Sequence, residues 1–376
     1  MIYYICTAVK KAFVLSIPLR RIKIFYHFLV LVLLTSSHAL ATAKNPQTRQ
    51  DYKAEIEAYI EHHILDNHDF NIFSYTNSQG EKVYVSIPLL VILWDRDVGL
   101  ISFLSSKFKH GKAIVSVKGK HYKVYHSRIY QTDAEGQILY NQEGKVTNYR
   151  PIDFSITKSV VSIVLVSLLM FWFFYKHAKS YEKNDLMPTG LGRFLEPVIL
   201  FVRDEIAIMS IGEKHHHRFM SYLLTLFFFI VILNLIGLSP FGINVTGNIA
   251  VTFCLAIITF IITNFKGNRN YWAHIFWMPG VPYYIRPVLM PIELLGVFIK
   301  PFTLMVRLYA NMAAGHIVLM TLISLIFVFD GVFAKGMGFL LSFVIANLKI
   351  LVAILQAYVF TVLSAVYFGF AVAEKH

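Results

Sequence analysis

Apolar and polar positions follow one pattern up to about residue 155 and another beyond it. The chain opens with a basic stretch, Lys10 to Lys23, then an apolar run, Ile24 to Leu34, then the small-residue sequence Ala39-Leu40-Ala41. That order predicts a secretory signal peptide over 1–41, because the apolar run is short beside the roughly 20 residues a membrane crossing needs. The chain after residue 41 is then exported. Asp51 to Leu65 predicts a helix. Lys82–Pro88, Ala113–Val117, His121–Tyr130 and Gln137–Tyr140 read as strands, separated by turn sequences such as Lys118-Gly119-Lys120 and Ala134-Glu135-Gly136. The expectation is a small, mostly β exported domain over 42–155. Its histidines, among them His68, His121 and His126, lack the spacing of metal ligands.

Beyond it the apolar runs lengthen into five segments: Ser159–Tyr175, Tyr222–Leu238, Ile249–Phe265, Val288–Phe329 and Met337–Ala373. The last two are joined by a short loop and predict a helical hairpin. Between the first two, Leu191 to Ser210 sets Val198, Phe201, Val202, Ile206 and Met209 against Glu196, Arg203, Asp204 and Glu205. That is an amphipathic helix expected to lie along the membrane interface. The fold class is therefore an all-α polytopic membrane domain over 156–376, preceded by the exported domain.

Composition agrees with the segment count. Of 376 residues, 56% are hydrophobic and 15% charged, with mean hydropathy +0.56, where a soluble domain carries about 25% charged residues. The net charge of +13 does not signal nucleic acid, because the cations cluster in the loops after segments one and three. The loop after segment two, Ser239 to Asn248, has no charge. The positive-inside rule puts the basic loops and the C-terminus in the cytoplasm, and an exported N-terminal domain demands the same orientation. Cys6 and Cys254 are the two cysteines, too few for a disulfide framework or a thiolate metal site. No G-x-x-x-x-G-K-[ST] loop is present, so nucleotide chemistry belongs elsewhere and the chain has no catalytic site, cofactor or metal of its own.

Arg307 carries the candidate chemistry. It sits inside the fourth segment, where a charged side chain costs about 2.5–3.5 kcal/mol on insertion scales and persists for function or beside a counter-charge. Asn311 adds a polar group one turn on, while Ala310, Ala313, Ala314 and Gly315 would let another helix approach closely. The apolar cores of the other segments hold no Asp or Glu, and Glu293 lies almost four turns, about 21 Å, from Arg307. The counter-charge must then come from a partner. In the hairpin register, His316 and Lys349 meet toward the outer end, Gln356 falls near the level of Arg307, and Glu293 lies at the cytoplasmic end. Two polar clusters at opposite ends of a positive barrier outline two offset half-channels. A secondary transporter would show internal repeats with helices broken in matching halves, and neither is present. A passive anchor for the exported domain would leave Arg307 without a purpose.

The run from Lys300 to Gly315, with Leu355-Gln356-Ala357-Tyr358-Val359-Phe360-Thr361 on the final helix and Asn234-Leu235-Ile236-Gly237-Leu238-Ser239-Pro240 ending segment two, resembles subunit a of F-type ATP synthases. The resemblance covers about Leu195 to the C-terminus. It implies that Arg307 faces a rotating ring of c subunits and keeps their carboxylate unprotonated as it passes, with Gln356 in support. It also implies that Glu293 lies on the cytoplasmic exit path and that Asn234 and Asn311 line water-filled routes. The partners would be the c-subunit ring, the b-subunit peripheral stalk and the lipid bilayer of a bacterial inner membrane, with protons as the transported ion. His316 and Lys349 depart from the family, which often pairs a carboxylate with a histidine there. Two cations at close range disfavour each other's charged form.

Overall fold

The fold is described from a computed structural model, over residues 66–76, 82–109, 111, 113–183, 192–238, 244–277, 282–328 and 332–373. The expected signal peptide and the expected helix Asp51–Leu65 lie outside these residues.

Among the described residues, eight strands form the first domain: β1 (Asp69–Thr76), β2 (Lys82–Pro88), β3 (Leu90–Asp95), β4 (Gly99–Leu104), β5 (Val115–Val117), β6 (Lys120–Tyr125), β7 (Arg128–Thr132) and β8 (Ile152–Asp153). They make a β1-β2 hairpin and two three-stranded sheets, ordered β4-β3-β8 and β5-β6-β7. The inward positions Val91, Leu93, Ile101, Phe103, Phe108, Val115, Tyr122 and Ile129 form one buried core. Two sequence expectations need correction. His121–Tyr130 is a hairpin instead of one strand, because His126 and Ser127 both take left-handed backbone (φ 45° and 56°). Such a two-residue turn matches the twist of the flanking strands. Gln137–Tyr140 makes only a single bridge, Tyr140 to Val146, since the Asn148 side chain takes the Leu139 N–H and donates to the Gln137 carbonyl in place of a ladder.

Among the described residues, seven helices of eight residues or more come next. They are α1 (Lys158–Lys183), α2 (Gly192–Phe201), α3 (His217–Gly237), α4 (Ile249–Phe265), α5 (Arg269–Phe276), α6 (Arg286–Val328) and α7 (Val332–Val372). Among the described residues, four helices are long and apolar enough to span a membrane, and α4 with α5, bent by 102°, makes a fifth candidate. The five expected segments fall on α1, α3, α4, α6 and α7. At 43 and 41 residues, α6 and α7 would be about 65 and 60 Å long if straight, twice a bilayer core of about 30 Å, so they must tilt or bend across it. Pro291 and Pro301 within α6 each remove a backbone donor.

The amphipathic segment packs one face into the bundle and leaves Arg203, Asp204 and Glu205 exposed on the other. After α2 the chain continues as a π-helix, Val202–Ile208, and a closing turn, Met209–Ile211. The wider π turn rotates the later positions. Val202, Ile206, Ala207 and Ile211 are consequently buried, while Met209, expected on the apolar face, is 76% exposed. The buried face meets α3 and α7 in one core that includes Leu223, Ile230, Leu304, Leu308, Phe360 and Phe368. Contact is close enough that a Cβ on Gly369 would fall onto the Ser210 carbonyl oxygen.

The two domains are tied together at Asp66. Its carboxylate accepts from the Thr157 hydroxyl (2.9 Å), the Ser159 N–H (3.2 Å) and the Asn248 side-chain amide (3.3 Å). Asn248 in turn caps α4 by accepting from the Ala250 N–H. At the opposite end, Asn268 takes up the last turn of α7, donating its N–H to the Ala371 carbonyl (2.8 Å) and its amide to that of Val372 (3.1 Å).

Candidate functional site

Helices α6 and α7 pack antiparallel, and two contacts fix their register. The Asn311 amide donates to Gln356 Oε1 at 2.6 Å. Further along, a Cβ placed on Gly315 would stand 2.6 Å from Lys349 Cε, so the lysine stem lies across that glycine's backbone. His316 and Lys349 are therefore at one depth, as expected, and His316 is buried. The Lys349 ammonium is enclosed without a hydrogen-bond partner among the described residues, as is the Ser342 hydroxyl. Gln356 stands level with Asn311, one turn from Arg307, and its Nε2 has no partner among the described residues.

Arg307 and Asn311 are both exposed, on a strip of α6 that also presents Phe302, Val306, Ala310 and Ala314. On α7 the outward positions are Val344, Leu348, Leu351 and Leu355. Leu304, Leu308 and Met312, on the other side of α6, are buried in the bundle. Helical spacing thus turns Leu304, Leu308 and Met312 inward and leaves the guanidinium, with Asn311, on an outer face that is otherwise apolar. Among the described residues Arg307 has no ion pair, in line with the absence of a carboxylate within reach along the sequence.

Asn234 is fully buried. Its amide donates to the Ala353 carbonyl at 3.3 Å and accepts from the Thr246 hydroxyl at 2.8 Å, linking α3, the loop ahead of α4, and α7. Glu293 is half-buried near the start of α6. A feature the sequence did not reveal is a small cavity between α4 and α6, open to the surface and with room for about one water molecule, lined by Thr259, Thr263, Asn264, Tyr271, Lys300 and Tyr367 among others. Lys300 projects over the rings of Tyr367 (5.5 Å) and Phe370 (5.8 Å). The cavity's polar lining residues are scattered over α4, α5, α6 and α7, and its only advance signal was the threonine spacing at 259 and 263. The site residues therefore form four groups: His316 with Lys349, Arg307 with Asn311 and Gln356, Asn234 bonded to the α7 backbone at Ala353, and Glu293 apart from the rest.

Comparison with known proteins bears on the same part of the chain. The family model described as ATP synthase A chain matches residues 160–369. Residues 59–154 match a family described as a domain of unknown function, DUF8433. The chain is 42% identical over 231 residues to ATP synthase subunit a of Myxococcus xanthus (strain DK1622), covering 60% of this chain and 75% of that protein. It is 38% identical over 254 residues to subunit a of Anaeromyxobacter sp. (strain Fw109-5), 65% of this chain and 61% of the relative. To subunit a of Chloroherpeton thalassium (strain ATCC 35110 / GB-78) it is 40% identical over 230 residues, 59% and 68% of the two chains.

Proposed function

The chain belongs to the ATP synthase A chain family, as a non-catalytic multi-pass subunit of that complex's membrane sector, and from that premise we propose that it is the stationary half of a rotary proton path. Arg307 faces a ring of c subunits. As a ring carboxylate passes, the guanidinium holds it ionised, so a proton cannot cross directly from one side to the other. Protons reach the ring from outside by way of His316 and Lys349, flanked by Asn311, with Asn234 bracing the wall behind. They leave toward the cytoplasm past Glu293. Gln356, bonded to Asn311, holds the polar strip beside Arg307. Each proton crossing releases about 2.3 kcal/mol per 100 mV of potential. A b-subunit peripheral stalk keeps this chain from turning with the ring.

The proposal extends to topology and processing. Residues 1–41 are a signal peptide, 42–155 an exported periplasmic domain and 156–376 the membrane domain, with the C-terminus cytoplasmic. The basic loops support that orientation.

One observation carries this reading: a guanidinium on the outer, apolar face of α6 with no acidic mate among the described residues. A cation held at membrane depth in this way is retained when its counter-charge arrives from outside. The test is Arg307→Ala in membranes holding the complete complex. ATP-driven proton pumping should disappear while passive proton leak through the membrane sector rises. Pumping that stays coupled to ATP hydrolysis would overturn the proposal.

A further inference from the structure

The loop ahead of α4 is held from two sides. Within the membrane domain, the fully buried Thr246 donates its hydroxyl to Asn234 Oδ1 (2.8 Å), and the Asn234 amide donates to the Ala353 carbonyl (3.3 Å). Ala353 stands four residues from Lys349 and three from Gln356, one turn of α7 from each. The loop itself is a closed unit. The Asn248 N–H donates to the Val245 carbonyl (3.1 Å) and the Gly247 N–H to Asn244 Oδ1 (3.0 Å), and the Asn244 amide leaves no room for a Cβ on Gly247. Thr246 therefore moves with Val245 and Asn248. Those are the two loop residues that the N-terminal domain grips. Asp66 accepts from the Asn248 amide (3.3 Å) while bonded to Thr157 and Ser159 at the start of α1. Phe70 of β1 packs against Val245 and against Leu233, the neighbour of Asn234, in a cluster with Val166 and Met170 of α1. His68, between Asp66 and Phe70, is buried and bonded to Asp153 of β8 (2.8 Å). The grip is thus anchored in the domain's own β structure, and the covalent connection to α1 requires none of it.

We infer that Asp66 is a positioning residue for proton entry: by way of Asn248 and Thr246 it orients Asn234, and by way of Asn234 it fixes the stretch of α7 that carries Lys349 and Gln356. The inference rests on the reading of His316 and Lys349 as the entry route, and it makes the N-terminal domain a working part of that route. Groups that pass a proton between them depend on placement, and a shift of about 1 Å, even one that starts far from the reacting atoms, slows transfer. Loosening the grip lets the α7 side chains drift from their partners on α6, so the entry takes up protons less readily. Arg307, on α6, keeps its place. Asp66 also interacts with the charge of Lys158, so the effect of its own charge must be told apart from the effect of its bond to Asn248.

ATP synthesis by the complete complex in liposomes tests this, with pH varied on the side of the N-terminal domain and the total driving force held constant through the membrane potential. Asp66→Ala removes the grip. Asn248→Ser keeps the Asp66 charge and a side chain able to cap α4, but ends one bond short of Asp66. Both variants should need a proton concentration about three-fold or more higher for half-maximal rate, while the rate at saturating acidity is retained. Damage that only lowered the amount of assembled complex would scale the rate equally at every pH, and an unmoved midpoint would overturn the inference. A shift in Asp66→Ala without one in Asn248→Ser would also overturn it, by assigning the effect to the field of the carboxylate. Added to Asn234→Ala, Asn248→Ser should move the midpoint no further, because both act through one chain of contacts, and additive shifts would count against it. Should Asp66→Ala fail to assemble, Asn248→Ser decides alone. Lys349→Ala separates the two levels of the argument: a midpoint that it moves and Asn248→Ser does not sinks this inference only, and one that neither moves sinks the entry reading as well.

Discussion

Lys349 threads its aliphatic stem past Gly315 of α6, which has no side chain to oppose it. The missing Cβ at Gly315 is what brings the ammonium to the depth of His316, and Lys349 has the flexible reach that lets a cation be carried along an apolar wall. Gly315→Ala would put a methyl group 2.6 Å from Lys349 Cε and force the lysine to swing away. Because that atom belongs to a movable side chain, the expected cost falls on transfer and not on folding. ATP-driven pumping should slow several-fold while remaining coupled to hydrolysis, as it should in Lys349→Ala and His316→Ala. In the double variant Gly315→Ala with Lys349→Ala, the rate should be no lower than in Lys349→Ala alone. Initial pumping rates against hydrolysis rates check this, and uncoupling, or no change in any of the three, would remove the pair from the proton path.

Packing between elements depends most on the stretch from α2 through Ile211 against α7. Gly369→Ala directs a Cβ onto the Ser210 carbonyl oxygen, a backbone atom that cannot step aside alone. Gly336, with nothing within 4 Å, is the matched control in the same helix. Gly369→Ala should lower the thermal stability of the purified complex by several degrees, whereas Gly336→Ala should leave it unchanged or slightly higher, as expected for glycine within a helix. Equal melting points would contradict the packing. The same region shows where sequence patterning stops being informative. The membrane segments were legible because apolar runs of 17 residues or more admit few other readings, and the Arg307 group was legible because charge in such a segment is conspicuous. The π-helix was not: Met209 has the right spacing for a regular helix, and nothing local signals the extra residue per turn that turns it outward. In the first domain the His126-Ser127 turn was hidden for a related reason, since neither residue is the glycine or asparagine that usually announces left-handed backbone. Strands β3 and β4 went unread because their apolar runs alternate only against neighbours that the sequence does not identify. The pairing of Asn311 with Gln356, 45 residues apart, needed the hairpin's true register, which the connecting loop length predicted only to within a turn.

At the scale of the whole molecule, the N-terminal β domain carries the groups whose titration bears on stability. Asp95 is buried. Burial alone would raise its carboxyl, but bonds from the Asp97 N–H and the Tyr122 hydroxyl, with the charge of Lys120, outweigh that and hold it below the ordinary carboxylate range. Asp153 behaves alike: burial pushes it up, and its bonds to His68 and Ser155 pull it further down. Both contribute stability that is complete above the ordinary aspartate value of about 3.9 and is lost as pH falls through their lower folded values. Tyr122 is shifted upward, by burial first and then by its bond to Asp95, so its contribution is complete below about pH 10 and is lost at higher pH. Protease resistance of the domain, followed in membranes across pH, should therefore be flat between about 4 and 10 and fall away outside. Asp95→Asn should flatten the acid limb, and loss of resistance beginning near neutral pH would contradict the assignment.

The face bearing Arg307 offers the most direct measurement of all. A photoactivatable crosslinker at Ala310, which is exposed one turn beyond the guanidinium, can be triggered in membranes holding the intact complex. The account predicts a product joining this chain to the ring subunit, at the helix that carries the ring's carboxylate. Products confined to lipid or to this chain itself would mean that Arg307 meets no moving partner, and the rotary reading would fail with it.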